Sequence, residues 1–510
     1  MTSTLLGIDV GTSACKVDAY DLDGELLASS SAPYSTYYPL PGHAEQDPNE
    51  WMSALQTATR TVLASEHVNA TDVAAVGVDG QSWACVPVDF SGQVLARTPI
   101  WHDHRATALC ARVLERVDED NILALSGNPW RPSYTTPKVL WFKENASSLY
   151  SSTKYFLQSN SFIVHALTGV FSQDESQSYG LHTVDIASGR YDDDMHALLG
   201  VDRRKFPDIV RSDEVVGSIT REAAALTGLI EGTPVVAGGL DAACASLGAG
   251  VFLPGQTQEQ GGQAGGMSVV TDAPVHDRRL ILSRHVVPGT WLLQGGTVGG
   301  SASLKWIVEQ VGLAEESAGR ATGQTAYEVV SELAATVKAG SEGLTFLPYL
   351  SGERSPIWDP KATGVLFGLT FNKTRAHLYR SVMEGVAFSL RHNIATANQA
   401  GVAVQRLHAT GGAAESFVWT QIKADVTGLP IVVPAVANAS SLGAAILAGV
   451  GVGAYSSFGD AVNRTSRIRR THQPDPAAAG SYHSSFSTYL ELYELLKDLM
   501  FRTTDEAGHS

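Results

Sequence analysis

The chain has 510 residues, more than one hydrophobic core accommodates, so two large domains are expected. Hydrophobic residues make up 44% and charged residues 17%, the balance of a soluble globular protein and not of a disordered one. A net charge of −16 excludes a general nucleic-acid binder, and four scattered cysteines without a CxxC pair suit reduced thiols in a cytoplasm.

Residues 5–20 (LLGIDVGTSACKVDAY) read as a β-hairpin whose tip carries Gly11, Thr12 and Ser13. Glycine lets backbone N–H groups approach a ligand, and a concave run of N–H and O–H donors suits an anion such as phosphate. Asp9, just before the tip, could hold a divalent cation or its waters; an ordinary hairpin uses the same residue types. The initial apolar run is brief and β-like, unlike a signal peptide. Residues 22–27 add a third strand. Asp47, Pro48 and Glu50 then open a helix as N-cap, first residue and capping-box partner. Strands at 72–78 and 86–89 flank Gly80-Gln81-Ser82-Trp83. A strand at 233–237 leads to Gly238-Gly239-Leu240-Asp241 and a helix of small residues, where Asp241 is either an N-cap or a catalytic base. A second glycine hairpin follows at 260–266, with a strand at 267–270. Two such hairpins half a chain apart suggest related domains, 1–250 and 251–510. Residues 431–455 are the one membrane candidate, but Pro434, Asn438, Ser440 and Ser441 interrupt them. A strand, a polar loop and a buried helix are expected there. Tyr482, Phe486, Tyr489, Tyr493 and Leu496 mark an amphipathic packing helix at the end.

Two longer segments carry a resemblance. Residues 133–145 (SYTTPKVLWFKEN) and 364–384 (GVLFGLTFNKTRAHLYRSVME) resemble the two signatures of the FGGY carbohydrate kinases, with Lys138, Trp141, Gly368, His377, Ser381 and Glu384 in register. Residues 346–356 (FLPYLSGERSP), Glu45-Gln46-Asp47-Pro48 and 101–105 (WHDHR) are similar to the xylulose kinases within that family. The resemblance implies an α/β fold of two actin-like, ribonuclease-H-like domains, as in the sugar kinase, heat-shock protein and actin superfamily, with an ATP cleft between them. It implies ATP and Mg²⁺ as cofactors, a small sugar as substrate, no nucleic-acid or membrane partner, and a homodimer as a common assembly.

The resemblance also assigns roles. Asp241 becomes the general base and Asp9 the carboxylate that meets Mg²⁺. Gly11, Thr12 and Ser13 would hold ATP phosphates; Lys16 would add charge or be a solvated strand residue. Gly262, Gln263 and Gly265 form the second phosphate tip, where relatives carry Gly-Thr-Ser-Gly and this chain has Gln263 and Ala264. Gly411, Gly412 and Ala413 would receive adenine, with Thr297 and Trp306 bordering the same cleft; a lone helical Trp306 is equally a core residue. Gln81, Ser82 and Trp83, with Asp103 and Arg105, would bound the sugar. Trp83 stacks on the sugar or sits in the core, and Asp103–Arg105 is a sugar-site pair or a surface ion pair. Ser82-Trp83 replace the Met-His of xylulose kinases, and Ala242 replaces an Asn beside the base. A ketose kinase is thus expected, with D-xylulose the leading acceptor. The alternatives are another pentulose, a hexulose, glycerol or gluconate, or a non-catalytic sensor on the same fold.

Overall fold

A computed structural model describes residues 3–507. The first part of the chain forms β1 (Thr4–Val10), β2 (Ala14–Tyr20), β3 (Leu26–Pro33), α1 (Pro48–Leu63) and β4 (Val73–Gly80). After α2 (Thr135–Asn145) come β5 (Val215–Ser218), β6 (Pro234–Val236), β7 (Gly239–Leu240) and α3 (Asp241–Gly248). The seven strands make one mixed sheet in the order β5-β6-β4-β1-β2-β3, with β7 also paired to β4.

The second part contains β8 (Gln256–Gly261), β9 (Gly265–Thr271), β10 (Ile281–Arg284), β11 (Trp291–Thr297) and α4 (Ser301–Val311). It continues through α5 (Arg375–Gln399), β12 (Arg406–Thr410), α6 (Phe417–Thr427) and β13 (Ile431–Pro434). Then follow α7 (Ala439–Gly451), β14 (Ile468–His472) and α8 (Ala479–Ala507). Its seven-stranded sheet runs β10-β11-β9-β8-β12-β13-β14. Each sheet has the same plan: an antiparallel hairpin (β1/β2, β8/β9), two strands parallel to its first arm, and an antiparallel edge. Parallel neighbours require crossovers, which places helices on the sheet faces.

Alternation along β1 decides what each face meets. Leu6, Ile8 and Val10 join Trp51, Leu55, Ala58 and Val62 of α1 in one core cluster. On the opposite face Gly7 and, on β4, Gly77 meet α7, which comes from the far end of the chain. A Cβ on Gly7 would lie 1.9 Å from the Ser441 carbonyl oxygen, and one on Gly77 would lie 1.9 Å from that of Ala444. In turn α7 crosses α3 backbone to backbone: a Cβ on Gly443 would lie 1.9 Å from the Cys244 carbonyl oxygen. Only glycine permits such approach. From the other side α3 engages the second sheet, with Ser246 Oγ donating to Gln258 Oε1 at 3.0 Å.

Segments 431–434 and 439–451 form the expected strand and buried helix, and no helix among the described residues is long and apolar enough to cross a membrane. The final aromatic spacing yields α8, whose Tyr482 and Tyr489 are buried. One expectation at α1 is corrected. Asp47 caps the helix through the Asn49 N–H at 2.9 Å, but Glu50 does not close a capping box. Its carboxylate instead accepts from the Tyr37 hydroxyl at 2.5 Å and the Ser35 N–H at 3.1 Å, because the preceding loop folds back over the first turn.

Candidate active site

Asp9, Lys16, Asp241, Gly261, Gly262 and Gly411 line one cleft of about 310 Å³, together with Asn438, Ala439 and Ser440 at the start of α7. Strand register explains the convergence. Asp9 ends β1 beside Asp79 of β4, and Asp79 is in turn in register with Gly239, two residues before Asp241. Asp241 occupies the first turn of α3; the N-cap position falls to Leu240, so the capping alternative does not describe it. Its carboxylate accepts the Ala242 N–H at 2.6 Å. Burial, and then the charge of Asp9, push the Asp241 carboxyl up to about 7. Burial also raises Asp9. Asp79 is raised by burial and by the charges of Asp9 and Asp241. The starts of α3 and α7 both face the cleft, so their free N–H groups present partial positive charge to it.

The first tip is held from below. Gln46 donates to the Thr12 carbonyl at 2.6 Å, and Gln81 donates to Gln46 Oε1 at 2.7 Å and to the Gly11 carbonyl at 3.3 Å. Thr12 Oγ1 accepts from Trp101 Nε1 at 3.0 Å, which leaves its own proton free to donate outward. Ser13 is exposed. Lys16 donates to Asn438 Oδ1 at 2.9 Å and so spans from β2 to the entry of α7, within the cleft and not out in solvent.

The second tip is anchored through its main chain. The Gly262 carbonyl accepts from Ser301 N (2.9 Å) and Oγ (2.7 Å), and the Gln263 carbonyl accepts from Ala302 N at 3.1 Å. Open N–H groups at the start of α4 are thereby satisfied. Gly411, with φ +81°, lies so close to the tip that a Cβ would sit 2.9 Å from the Gly261 carbonyl carbon. Beyond it Gln263, Gly412, Ala413, Tyr327, Phe417 and Trp419 line a second cavity of about 680 Å³. Thr297 pairs with Gly265 in the sheet and is buried behind the tip. Trp306 is 41% exposed on α4, outside the lining of that cavity and outside the core.

On the other side of Asp241, Ser82 Oγ accepts from the Tyr179 hydroxyl at 2.8 Å. Trp83 has φ +55° and is 5% exposed, with Tyr134 over its ring at 4.1 Å and Tyr179 at 5.6 Å, so it packs as a core residue. Lys138 of α2 is fully buried and donates to the carbonyls of Trp83 (2.9 Å) and Ile100 (2.7 Å), fastening two loops with one ammonium. Burial pushes that ammonium down to about 7. Asp103 and Arg105 are no surface pair: Arg105 grips Asp103 bidentately and Glu45 at 2.6 Å, all buried or nearly so. Both Asp103 oxygens are spent on Arg105 and the Ala44 N–H. The pair therefore shapes the Trp101–Arg105 loop that steadies Thr12.

Comparison with known proteins decides the family. The N-terminal domain of the FGGY family of carbohydrate kinases matches residues 4–248, and its C-terminal domain matches residues 265–452. The chain belongs to the FGGY carbohydrate kinases. This kinase is 29% identical to the xylulose kinase of Bacillus subtilis over 97% of both chains. It is 26% identical to a gluconokinase of Bacillus licheniformis over 98% of this chain and 97% of that one. Its fold superposes on the crystal structure of xylulose kinase from Rhodospirillum rubrum with TM-score 0.87, 31% identity, and coverage of 98% of this chain and 100% of that one.

Several residues of the kinase that shape the cleft escape a reading of the sequence. Asp79 joins Asp9 through parallel pairing across a crossover, which leaves no local mark. Gln46 supports the first tip from a separate segment, and Gln81, expected from the sequence to bound the sugar, donates to the Gly11 carbonyl and to Gln46 instead. Tyr327 and Phe417 line the larger cavity from helices whose apolar faces otherwise read as core.

Proposed function

We propose that this kinase transfers the γ-phosphoryl group of ATP to the terminal hydroxyl of D-xylulose, with Asp241 as general base. The observation that carries the reading is the convergence of Asp241 with Asp9 and Lys16 on the arms of the first hairpin, Gly261 and Gly262 at the second tip, and the start of α7 on one cleft. A carboxyl poised at about 7 exchanges a proton with a hydroxyl near neutral pH. The lobes 1–250 and 251–510 bound the cleft. Backbone and hydroxyl donors of Gly11, Thr12 and Ser13, the amide of Gln263, Lys16 and the N-terminus of α7 receive the phosphates. The larger cavity at Gly412, Ala413 and Phe417 receives the base.

The donor set fits Mg²⁺. No N–H or hydroxyl donates to either buried Asp79 oxygen among the described residues, and Asp9 lies in register beside it. One or two carboxylates, completed by water and phosphate, are what Mg²⁺ takes; no cluster of three or more candidate ligands is present among the described residues. Asp9 and Asp79 would hold the ion, whose charge would be supplied to the transferring phosphoryl group. Asp241 accepts the hydroxyl proton at its carboxylate.

D-xylulose is preferred because similar chains are xylulose kinases and because the segments 346–356 and 101–105 match that group. Ala242 beside the base favours testing gluconate as a second acceptor, since a missing amide changes sugar discrimination. An ADP-release assay across D-xylulose, other ketoses, glycerol and gluconate tests the reading: D-xylulose should give the highest kcat/KM, and background rates with it would overturn the choice. Ser13→Ala, which removes an exposed hydroxyl from the tip, should raise KM for ATP several-fold with little change in KM for sugar, on the scale of one exposed hydrogen bond of about 0.5–1.5 kcal/mol. Equal KM for ATP would remove Ser13 from the phosphate site.

A further inference from the structure

Arg354 lies between α4 and α5, and its guanidinium reaches Trp101 of the first part of the chain. Its guanidinium lies flat against Gly296, where a Cβ would be 3.0 Å from Nη2, and over the Trp101 ring at 5.4 Å. It forms no ion pair with a carboxylate among the described residues. The adjacent Glu353 carboxylate accepts at Oε1 from the backbone N–H groups of Val298 (2.7 Å) and Arg354 (2.8 Å), and at Oε2 from Ser389 Oγ at 3.5 Å. Nη2 makes one long contact, 3.4 Å to the Thr297 carbonyl, and Nε is buried with no acceptor. The unspent donors are a liability, because a guanidinium taken from water without partners loses hydration that nothing replaces.

The surroundings indicate what repays that cost. The charge of Arg354 is felt at Tyr179 and His102, and Tyr179 also feels the charge of Asp241. Tyr179 donates to Ser82 and Trp101 donates to Thr12. Arg354 thus faces the first part of the chain through Trp101, the ring that holds Thr12. We propose that Arg354 binds the end of the acceptor remote from the phosphorylated hydroxyl, its two terminal nitrogens donating to the neighbouring carbonyl and hydroxyl oxygens of a ketose. A planar fork matches two adjacent oxygens better than an ammonium does. The inference rests on the ketose reading above for the identity of the acceptor, but not for the role of the residue.

The experiment compares native enzyme, Arg354→Gln and Arg354→Lys with D-xylulose, 1-deoxy-D-xylulose and xylitol, each at saturating ATP, then with ATP varied. Arg354→Gln should raise KM for D-xylulose about ten- to a hundredfold while KM for ATP stays within about twofold, the scale of charged hydrogen bonds. The native preference for D-xylulose over its 1-deoxy analogue and over xylitol should shrink in Arg354→Gln. Arg354→Lys, which keeps the charge, should fall between. Acceptor-induced thermal stabilisation without ATP, present in native protein and lost in Arg354→Gln, provides a readout if turnover is too low. An unchanged acceptor KM, or equal losses for ATP and acceptor, would overturn the proposal. If native enzyme ignores D-xylulose but phosphorylates another acceptor, the ketose reading fails, and the same comparison of KM values on that acceptor decides the role of Arg354.

Discussion

Asp241→Asn is expected to abolish nearly all phosphoryl transfer and at the same time to make the folded protein more resistant to heat above neutral pH. Loss of a general base costs on the order of 10²–10⁴-fold in rate. The stability gain follows from the raised carboxyl. Its folded pKa of about 7 lies above the ordinary 3.8, so the folded state binds the proton more tightly than the unfolded state does. Below pH 3.8 both states are protonated and Asp241 carries no penalty; between 3.8 and 7 the penalty grows, and above 7 it is complete. The rise from 3.8 to about 7 corresponds to at most about 4 kcal/mol. Asparagine has nothing to ionise, so thermal unfolding at pH 8 should show a higher Tm than native enzyme, and the difference should shrink toward pH 4. The same carboxyl predicts an acid limb in kcat/KM, activity falling with pH as the Asp241 carboxylate takes up a proton. A variant that keeps its turnover, or whose Tm gain does not depend on pH, would remove Asp241 from the role proposed for it.

Gly443→Ala and Gly77→Ala are expected to be among the most destabilising single-methyl changes in the molecule. In both places the new Cβ would stand 1.9 Å from a carbonyl oxygen of the neighbouring backbone, Cys244 for Gly443 and Ala444 for Gly77. No side chain is there to rotate away, so α7 must shift as a body from α3 or from the first sheet. Overpacking a tight core costs about 1–3 kcal/mol and sometimes more; backbone contacts on both sides place these two at the upper end. Gly480→Ala is the control. It lies near the start of α8, where nothing stands within 4 Å of an added Cβ, and it should be neutral or slightly stabilising. Urea unfolding of the three variants measures the difference. Gly443→Ala with the midpoint of Gly480→Ala would mean that α7 adjusts at no cost.

Much of the fold was legible where chemistry is local. Both glycine hairpins, the helix after Asp241, the interrupted segment that becomes β13 and α7, and the aromatic face of α8 each announce themselves within about 20 residues by turn residues or periodicity. What stayed hidden depends on partners distant in sequence. Glu50 fits a capping box by spacing, yet Tyr37 and Ser35 take its carboxylate. Asp103 and Arg105 read equally as a surface pair until Glu45 closes over them. Asp79 looks like a strand end until register sets it beside Asp9. Trp83 offered two readings, and Tyr134, fifty residues on, decides for packing. Resemblance to a family supplied Asp241 its chemistry; the helix start alone offered capping as readily.

The packing of α7 on the first sheet bears on how the protein is made. The face of the first sheet that carries Gly7 and Gly77 is finished only by α7, and α7 lies far downstream of the last strand of that sheet. During synthesis the leading half therefore leaves the ribosome with an apolar surface uncovered, and holds it open until the trailing half supplies the missing helix. A fragment ending near residue 250 is expected to expose that face, and so to aggregate when produced alone.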